Sequence, residues 1–346
     1  MDIASLWWHY ISGAARYLHN TIAAHTSHRV LLVEEPPYTE SYFQMYEEAL
    51  MQSDSSLLVE KSFANDWITQ HEMSAAVIER YAPHVDYHPM DSSEAMFIAK
   101  NKLLTGRVLI IRQIEKKKDW LDFAVEYARH SPLSGGLIIL TYRGDVPLNS
   151  TRKGIAIFKW KEYISTYDMQ LFASNCVANQ STLSDAERHY ITQIASRLTG
   201  DDPEFCEALA TRELFVYPHA LCQRLSASNE TAQKWVEAPD LLDSIIWEAQ
   251  IQVVFPIIER MRKKYIDIYY NNLIAILPQI DEFSKKINEP KDMELRHMHY
   301  YFFKTQGFRN KEDQQTFDLL YRARNRLAHL DRLSYEDVLS ILKLGS

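Results

Sequence analysis

The stretch RVLLVEEPPYTES, residues 29–41, decides the fold of the first half of the chain. Residues 30–33 are an uninterrupted run of valine and leucine, which predicts a buried strand. Two prolines follow at positions 36 and 37, and the apolar spacing of residues 40–51 is helical. A buried strand that turns directly into a helix is typical of strand–helix–strand units, in which the strands are parallel.

Four more short apolar runs each predict a strand: Leu57–Phe63, Val108–Ile114, Leu137–Tyr142 and Ile155–Trp160. Helical patterns lie between most of them, notably over 72–81 and 119–130. Alternating strands and helices predict a parallel sheet with helices on both faces. An amphipathic helix over residues 3–25 is expected to pack on the domain that follows. Residues 1–165 are therefore predicted to form one α/β domain.

The turn after the first strand reads Glu35-Pro36-Pro37-Tyr38-Thr39-Glu40-Ser41. It resembles, in position and outline, the phosphate loop of the AAA+ and related P-loop ATPases, in which a strand leads into a Gly-Pro-Pro-Gly-Thr-Gly-Lys type of loop. The prolines and the threonine are kept, but the glycines and the lysine are missing. Such a loop closes backbone N–H groups on phosphate. Tyr38 would block that approach, and Glu35 and Glu40 would repel the anion.

The strand over residues 108–111 shows a second departure from this family. In P-loop ATPases the corresponding strand ends in two acidic residues that bind magnesium and position a water molecule. Here Arg112 and Gln113 occupy those positions. We therefore predict a degenerate, ATPase-like α/β fold with no nucleotide site and no cofactor. An unrelated α/β domain is the alternative.

Residues 166–235 are predicted to be helical, because the strand patterns stop there. Ser184-Asp185-Ala186-Glu187 is a capping box that opens a helix, and Thr199-Gly200 closes it. Asp202-Pro203 begins another helix, with proline in its first turn. A small helical lid after a P-loop-like core is what the AAA+ resemblance implies.

Residues 236–346 are predicted to form a bundle of four or five helices. The first is a long apolar pattern that Pro256 is expected to kink or divide. The predicted helices cover Asp240–Leu273, Leu277–Ile287, Met293–Lys304, Glu312–His329 and a short final segment from Ser334.

The penultimate helix of this bundle carries the sequence Arg324-Asn325-Arg326-Leu327-Ala328-His329. An all-helical domain with Arg-Asn-x3-His in its last or penultimate helix resembles the HEPN superfamily, and the likeness covers about residues 240–346. That resemblance implies a metal-independent endoribonuclease of the kind found in phage-defence and toxin–antitoxin systems. It also implies pairing of two such domains, in a homodimer or with another HEPN chain.

The residue types suit RNA cleavage. RNA carries its own nucleophile, the 2′-hydroxyl, and histidine is the side chain whose ordinary pKa makes it a base near neutral pH. Arg324 could hold the phosphate oxygens, and Asn325 could orient the phosphate or His329. Arg322 and Arg326 are weaker candidates for RNA binding. Because residues five apart on a helix diverge by about 140°, a site shared by two chains through residues 240–346 is favoured.

Two alternatives remain open. The motif could be structural, with Arg324 in a salt bridge and His329 satisfying carbonyls at a helix end. The chain could then be a non-catalytic adaptor, resembling the nucleotide-free subunits of AAA+ assemblies, that contacts another protein subunit through its α/β domain.

Charge and cysteines restrict the function further. From Asp240 to the end Lys+Arg and Asp+Glu number 16 each, so the whole net charge of −8 lies before Asp240. That distribution argues against broad nucleic-acid coating. The three cysteines have neither a metal-binding nor a redox spacing, and no membrane association is expected. A cytoplasmic protein is predicted.

Overall fold

The computed structural model describes residues 2–66, 70–116, 119–144, 152–178, 180–280, 284, 286–305 and 307–345. The chain divides into two compact units, Met1–Asp168 and Met169–Ser346. The further division predicted near residue 235 stays a prediction.

The first unit is built on a parallel five-stranded sheet in the order β2-β3-β4-β1-β5. Its strands are β1 Val30–Glu34, β2 Leu58–Phe63, β3 Arg107–Arg112, β4 Leu137–Tyr142 and β5 Ile155–Phe158. All five predicted strands are thus confirmed, and they are parallel throughout. The central strands β1, β3 and β4 are almost wholly buried, as expected of a sheet covered on both faces.

Helices of the first unit are α1 Ile3–Tyr10, α2 Ser12–Ala23, α3 Thr39–Ser53, α4 Gln70–Tyr81, α5 Glu94–Lys100 and α6 Asp119–His130, and α7 Thr166–Ala178 crosses into the second unit. Single 3₁₀ turns cover Ala24–Thr26, Ala64–Asp66, Ile114–Lys116 and Trp160–Glu162. The prediction of one helix over 3–25 was wrong. Its path breaks at Ile11, which has extended backbone angles, and the Asp168 carboxylate accepts a hydrogen bond from the Gly13 N–H at 3.0 Å, where α2 begins.

The second unit is mainly helical. Its helices are α8 Asp185–Leu198, α9 Pro203–Leu209, α10 Arg212–Val216, α11 Pro218–Leu225, α12 Glu230–Glu237, α13 Pro239–Val253, α14 Phe255–Ile268, α15 Tyr270–Ile274, α16 Leu295–Thr305, α17 Lys311–Ala328 and α18 Tyr335–Leu344, with one 3₁₀ turn at Pro290–Asp292. The capping box at Ser184 and Glu187 is present. Pro256 lies in the first turn of α14, so the predicted division of the long helix is confirmed.

One predicted helix of this unit, Leu277–Ile287, was wrong. Two short antiparallel strands, β6 Gln279–Ile280 and β7 Lys286–Ile287, lie there instead. Pro278 accounts for much of the difference, because it disfavours helical angles at Leu277 and lacks an N–H of its own. Part of the predicted helix, residues 281–283 and 285, lies outside the described residues.

Pro239–Ile268, which combines α13 and α14, is long and apolar enough to cross a membrane by length and composition. Of its most apolar 18 residues, 44% are buried within the structure, and core helices of soluble proteins can be equally long and apolar. Leu242, Ile246 and Ile258 bury their side chains in the unit.

Candidate functional site

Helix α17 carries the Arg-Asn-His motif, defined here as Arg324, Asn325 and His329. The helix begins where the Asn310 side chain accepts a hydrogen bond from the Asp313 N–H at 2.8 Å. Its inner face is apolar: Phe317, Leu320 and Leu327 are fully buried. This face packs against α13, α14, α16 and α18, so the motif lies at the C-terminal end of a helix that contacts four others in the second unit.

The helix ends at Ala328, and His329 is its C-terminal cap. The His329 backbone N–H donates to carbonyls of the last turn, whereas its side chain is exposed. Leu330 then takes left-handed backbone angles, with φ of 63°, which turns the chain away from the helix axis. The imidazole is therefore carried at the end of the helix and in contact with solvent.

Arg324 is held by an ion pair. Its guanidinium Nη2 lies 3.4 Å from Oε2 of Glu294, and one third of the side chain (33%) is exposed. The same carboxylate oxygen lies 3.3 Å from Nε of Arg296. Asn325 is half-buried. A partly exposed pair of this kind contributes only about 0–1 kcal/mol to stability, so the Arg324 guanidinium remains open to a competing anion.

The two weaker candidates also have acidic neighbours. Arg322 lies 3.0 Å from Asp318, one turn back on the same helix. Arg326 lies 4.0 Å from Asp337 and donates to the Arg332 carbonyl at 2.8 Å. Arg324 and Arg326 are thus directed to different neighbours, and the positive charge of this surface is largely balanced within the fold.

A cleft of about 340 Å³ lies beside the end of α17. It is lined by Asp240, Asp243, Ser244, Trp247, Arg326, Leu330, Asp331 and Arg332. The Trp247 indole donates to the Leu327 carbonyl at 2.9 Å, which satisfies one of the last carbonyls of α17. Asp243 accepts from Arg332 at 2.9 Å and lies 2.8 Å from His219.

Sequence reasoning missed the lining of this cleft. Trp247 belongs to the apolar pattern of α13 and gave no sign that its ring edge would reach α17. The one available signal was its polar N–H, which needs a partner when a tryptophan is half-buried.

The second candidate region is the junction between β1 and α3, where the ATPase resemblance places a phosphate. Five side chains meet here and form what we call the ion-pair network: Glu35, Glu40, Arg112, Thr141 and Arg143. Arg112 lies at the carboxyl end of β3, and Thr141 near that of β4. Because β4 lies between β3 and β1, the sheet order brings these groups to one edge.

Glu35 is the centre of the network, with only 1% of its side chain exposed. Its Oε1 accepts from the Thr141 hydroxyl at 2.8 Å and from Arg112 Nε at 3.2 Å. Its Oε2 accepts from Arg143 Nε at 2.9 Å. Arg112 Nη1 donates at 2.5 Å to Glu40, which is mostly exposed. The Arg112 guanidinium also lies over the rings of Phe43 and Phe63, at 5.1 and 4.9 Å from their centroids.

The pKa values of Glu35 and Arg112 are shifted in the directions that favour their charged forms. Burial by itself raises the pKa of the Glu35 carboxyl, but the Thr141 hydrogen bond and the arginines outweigh it, and the pKa falls below its ordinary value. Burial by itself lowers the pKa of Arg112, but Glu40 and Glu35 outweigh it, and the pKa rises. Glu35 and Arg112 are therefore both charged near neutral pH.

Tyr38 and Thr39 of the predicted degenerate loop lie at the start of α3. Tyr38 has left-handed angles, with φ of 51°, at the N-cap of α3. Thr39 donates its hydroxyl to the Pro36 carbonyl at 2.7 Å. With Glu35 and Glu40 paired to Arg112, the cation at this edge is already neutralised by the protein's own carboxylates.

No metal centre emerges in the described part of the chain, where no group of three or more His, Cys, Asp or Glu side chains could hold an ion. Of the three cysteines, Cys206 and Cys222 are buried and Cys176 is half-buried. Burial raises the pKa of the Cys222 thiol to about 11, so this thiol stays protonated and unreactive at neutral pH.

Comparisons with known proteins place the chain only coarsely. No family model and no curated protein matches it, so the HEPN resemblance stays a prediction. Among solved structures, it is similar to the Aeropyrum pernix ORC2 protein in its ADPNP–ADP complexes, with 10% sequence identity over 96% of this chain and 93% of that one. The TM-score is 0.27, and a likeness this low carries no argument. What is shown is a parallel five-stranded α/β sheet followed by helices.

Proposed function

We propose that this protein is a metal-independent endoribonuclease whose active groups are Arg324, Asn325 and His329. The observation that carries the proposal is the end of α17 at Ala328. Within an unbroken helix, Arg324 and His329 would diverge. Because the helix ends first, the exposed imidazole is free to turn towards an RNA held at the last turn.

The proposed reaction uses the 2′-hydroxyl of RNA as nucleophile. His329 takes the 2′-hydroxyl proton, the 2′-oxygen bonds to phosphorus, and the bond from phosphorus to the 5′-oxygen breaks. The departing 5′-oxygen takes up a proton, and the products are a 2′,3′-cyclic phosphate and a 5′-hydroxyl. Arg324 neutralises the charge that grows on the non-bridging oxygens, after exchanging its weak pair with Glu294 for the phosphate.

A second copy of the motif completes the site in this proposal. The proton for the 5′-oxygen must come from an acid, and one His329 cannot be base and acid in the same step. A homodimer, or pairing with another HEPN-like chain through residues 240–346, supplies a second imidazole. By resemblance alone, the setting is phage defence or a toxin–antitoxin system. The α/β unit, whose phosphate position is filled by Glu35 and Arg112, then controls the nuclease through a protein partner.

The second candidate function is a non-catalytic adaptor, and one observation favours it. Arg322, Arg324 and Arg326 each have a carboxylate within 4.0 Å, as in a helix that uses its charges to hold a bundle together. In that case the Arg-Asn-His motif serves assembly.

The test is cleavage of mixed RNA, including tRNA, in EDTA by the full chain and by Arg324→Ala and His329→Ala variants. We expect each substitution to lower the rate at least about a hundredfold, the usual contribution of a general base or a charge-stabilising group. The matched control is Arg224→Ala, which removes an arginine from another partly exposed ion pair of the second unit, that with Glu213, and should keep most activity. Product ends are checked for the cyclic phosphate.

Contrary results separate the two functions. Cleavage that survives both substitutions, or that needs a divalent metal, contradicts the proposal. If the Arg324→Ala, His329→Ala double variant also keeps full activity in the cell, the motif is structural and the adaptor function takes its place.

A further inference from the structure

Arg29 is a buried cation at the amino end of the sheet, one residue before β1. Only 7% of it is exposed. Its guanidinium donates to two backbone carbonyls, that of His25 at 2.8 Å and that of Gly136 at 3.5 Å. Its Nε is buried and has no hydrogen-bond partner. Across the part of the chain that the structure describes, no carboxylate pairs with it.

This arrangement is the opposite of that around Arg112, which is equally buried but meets Glu35 and Glu40. An arginine does not lose its proton inside a protein, so a buried guanidinium without a counter-charge is unfavourable unless an anion arrives from outside. The position of Arg29 therefore points to a ligand rather than to a salt bridge.

A cleft of about 360 Å³ opens at Arg29. It is lined by His25, Arg29, Asp54, Ser56, Leu57, Thr105, Gly106, Arg107, Val108, Leu133, Ser134, Gly136 and Leu137. Three of these residues, Ser56, Thr105 and Ser134, carry hydroxyl groups. The Ser56 hydroxyl donates to Asp54 and the Thr105 hydroxyl to the Lys102 carbonyl, so their oxygens can still accept hydrogen bonds from hydroxyl groups of a ligand. A cleft of this volume is in the range of small-molecule sites and exceeds what a bare ion fills.

Two further charged side chains line the cleft, Arg107 and Asp54, and both are engaged elsewhere. Arg107 lies 3.3 Å from Glu60, and its guanidinium is 3.8 Å from the ring centroid of Tyr81. Asp54 accepts from the Ser56 N–H at 2.9 Å and from its hydroxyl at 2.6 Å, and these bonds lower the pKa of its carboxyl. Asp54 is exposed, so its charge is screened by solvent.

We propose that this amino-end cleft binds a small phosphate ester, with Arg29 as its buried anchor. The guanidinium fork matches two oxygens of a phosphate group. The rest of the cleft then accommodates a polar body such as a sugar, near the Ser56, Thr105 and Ser134 side chains. This site lies at the opposite end of the parallel strands from the ion-pair network, in the first unit alone, and is independent of the proposed nuclease.

The experiment is calorimetric titration of the full chain with ribose 5-phosphate and with inorganic phosphate, at constant ionic strength. We expect the ester to bind more tightly than inorganic phosphate. Arg29→Gln should weaken the ester at least about tenfold, the loss expected for one charge-assisted hydrogen bond.

A matched pair of variants covers the case in which Arg29→Gln does not fold. Ser134 is exposed at the cleft, so Ser134→Glu should weaken ester binding several-fold and Ser134→Lys should strengthen it, because the added charges have opposite signs. Arg324→Ala should leave the titration unchanged, which separates this site from phosphate bound at the end of α17.

Three outcomes overturn the proposal. The first is no heat of binding for ribose 5-phosphate in the millimolar range. The second is binding that Ser134→Glu and Ser134→Lys change equally. The third is binding that disappears in Arg324→Ala, which would assign the anion to the other unit.

Discussion

Arg112 and Arg324 each face carboxylates, yet their surroundings give them different roles. The Arg112 side chain is 9% exposed and holds Glu35, itself 1% exposed, together with Glu40. The Arg324 side chain is 33% exposed and meets a single oxygen of Glu294 at 3.4 Å. A charged side chain that is buried in an ion pair has a structural role. A charged side chain that is weakly paired at the surface remains available to a ligand.

This comparison also explains why Arg112, the cation at the position of a phosphate loop, is not free to bind a phosphate. At the β1–α3 junction the arginine from β3 meets two acidic residues of the turn itself, so an incoming phosphate would have to displace Glu35 from a site where it has three hydrogen-bond donors. Compared with a phosphate loop, this turn lacks the glycines and the lysine, and its carboxylates form ion pairs within the protein.

The largest effect is expected from Arg112→Met. It leaves Glu35 buried with Arg143 and Thr141 only, and it removes the guanidinium from Phe43 and Phe63. Breaking a buried pair in this way costs about 3–5 kcal/mol, which should be measured as a fall in the free energy of unfolding in urea.

A double variant sharpens this first prediction. Adding Glu35→Gln to Arg112→Met removes the buried charge that has lost one of its two arginine partners, so the two losses should not add, and the double variant should recover part of the stability. If the changes in the free energy of unfolding were strictly additive, Glu35 and Arg112 would not interact energetically.

The next effect concerns pH. The pKa of the Glu35 carboxyl is below its ordinary value in the folded protein, so the stability it contributes is fully present above the unfolded pKa of about 4.3. That stability is lost as the pH falls through the folded pKa. We expect the free energy of unfolding to fall more steeply below about pH 5 in the wild type than in Glu35→Gln.

Glu40→Gln is the control for the pH measurement. Glu40 belongs to the same network, but 82% of its side chain is exposed. Its removal should leave most of the acid-induced loss in place. A wild-type slope no steeper than that of Glu35→Gln would contradict the charged state of the network.

Much of the fold could be predicted from the sequence, because the apolar runs of all five strands and the cap at Ser184 are local signals. The ion-pair network could not. Glu35 and Arg112 were each noted as departures from a phosphate loop, but they lie 77 positions apart, and only the strand order β3-β4-β1 brings them together. The cleft beside α17 was missed for the same reason, since the contact of Trp247 with Leu327 depends on how two helices cross.

The smallest effect is expected from Arg324→Ala, and it decides how a loss of ribonuclease activity is to be interpreted. Because the pair with Glu294 is partly exposed and 3.4 Å long, its removal should change the free energy of unfolding by less than about 1 kcal/mol. Arg322→Ala, whose pair with Asp318 is more exposed, should change it by no more. Urea unfolding of both variants at neutral pH measures this. A loss of several kcal/mol in Arg324→Ala would instead show that this arginine, like Arg112, stabilises the fold. That result would favour the adaptor function, since a residue that holds the bundle together need not touch RNA.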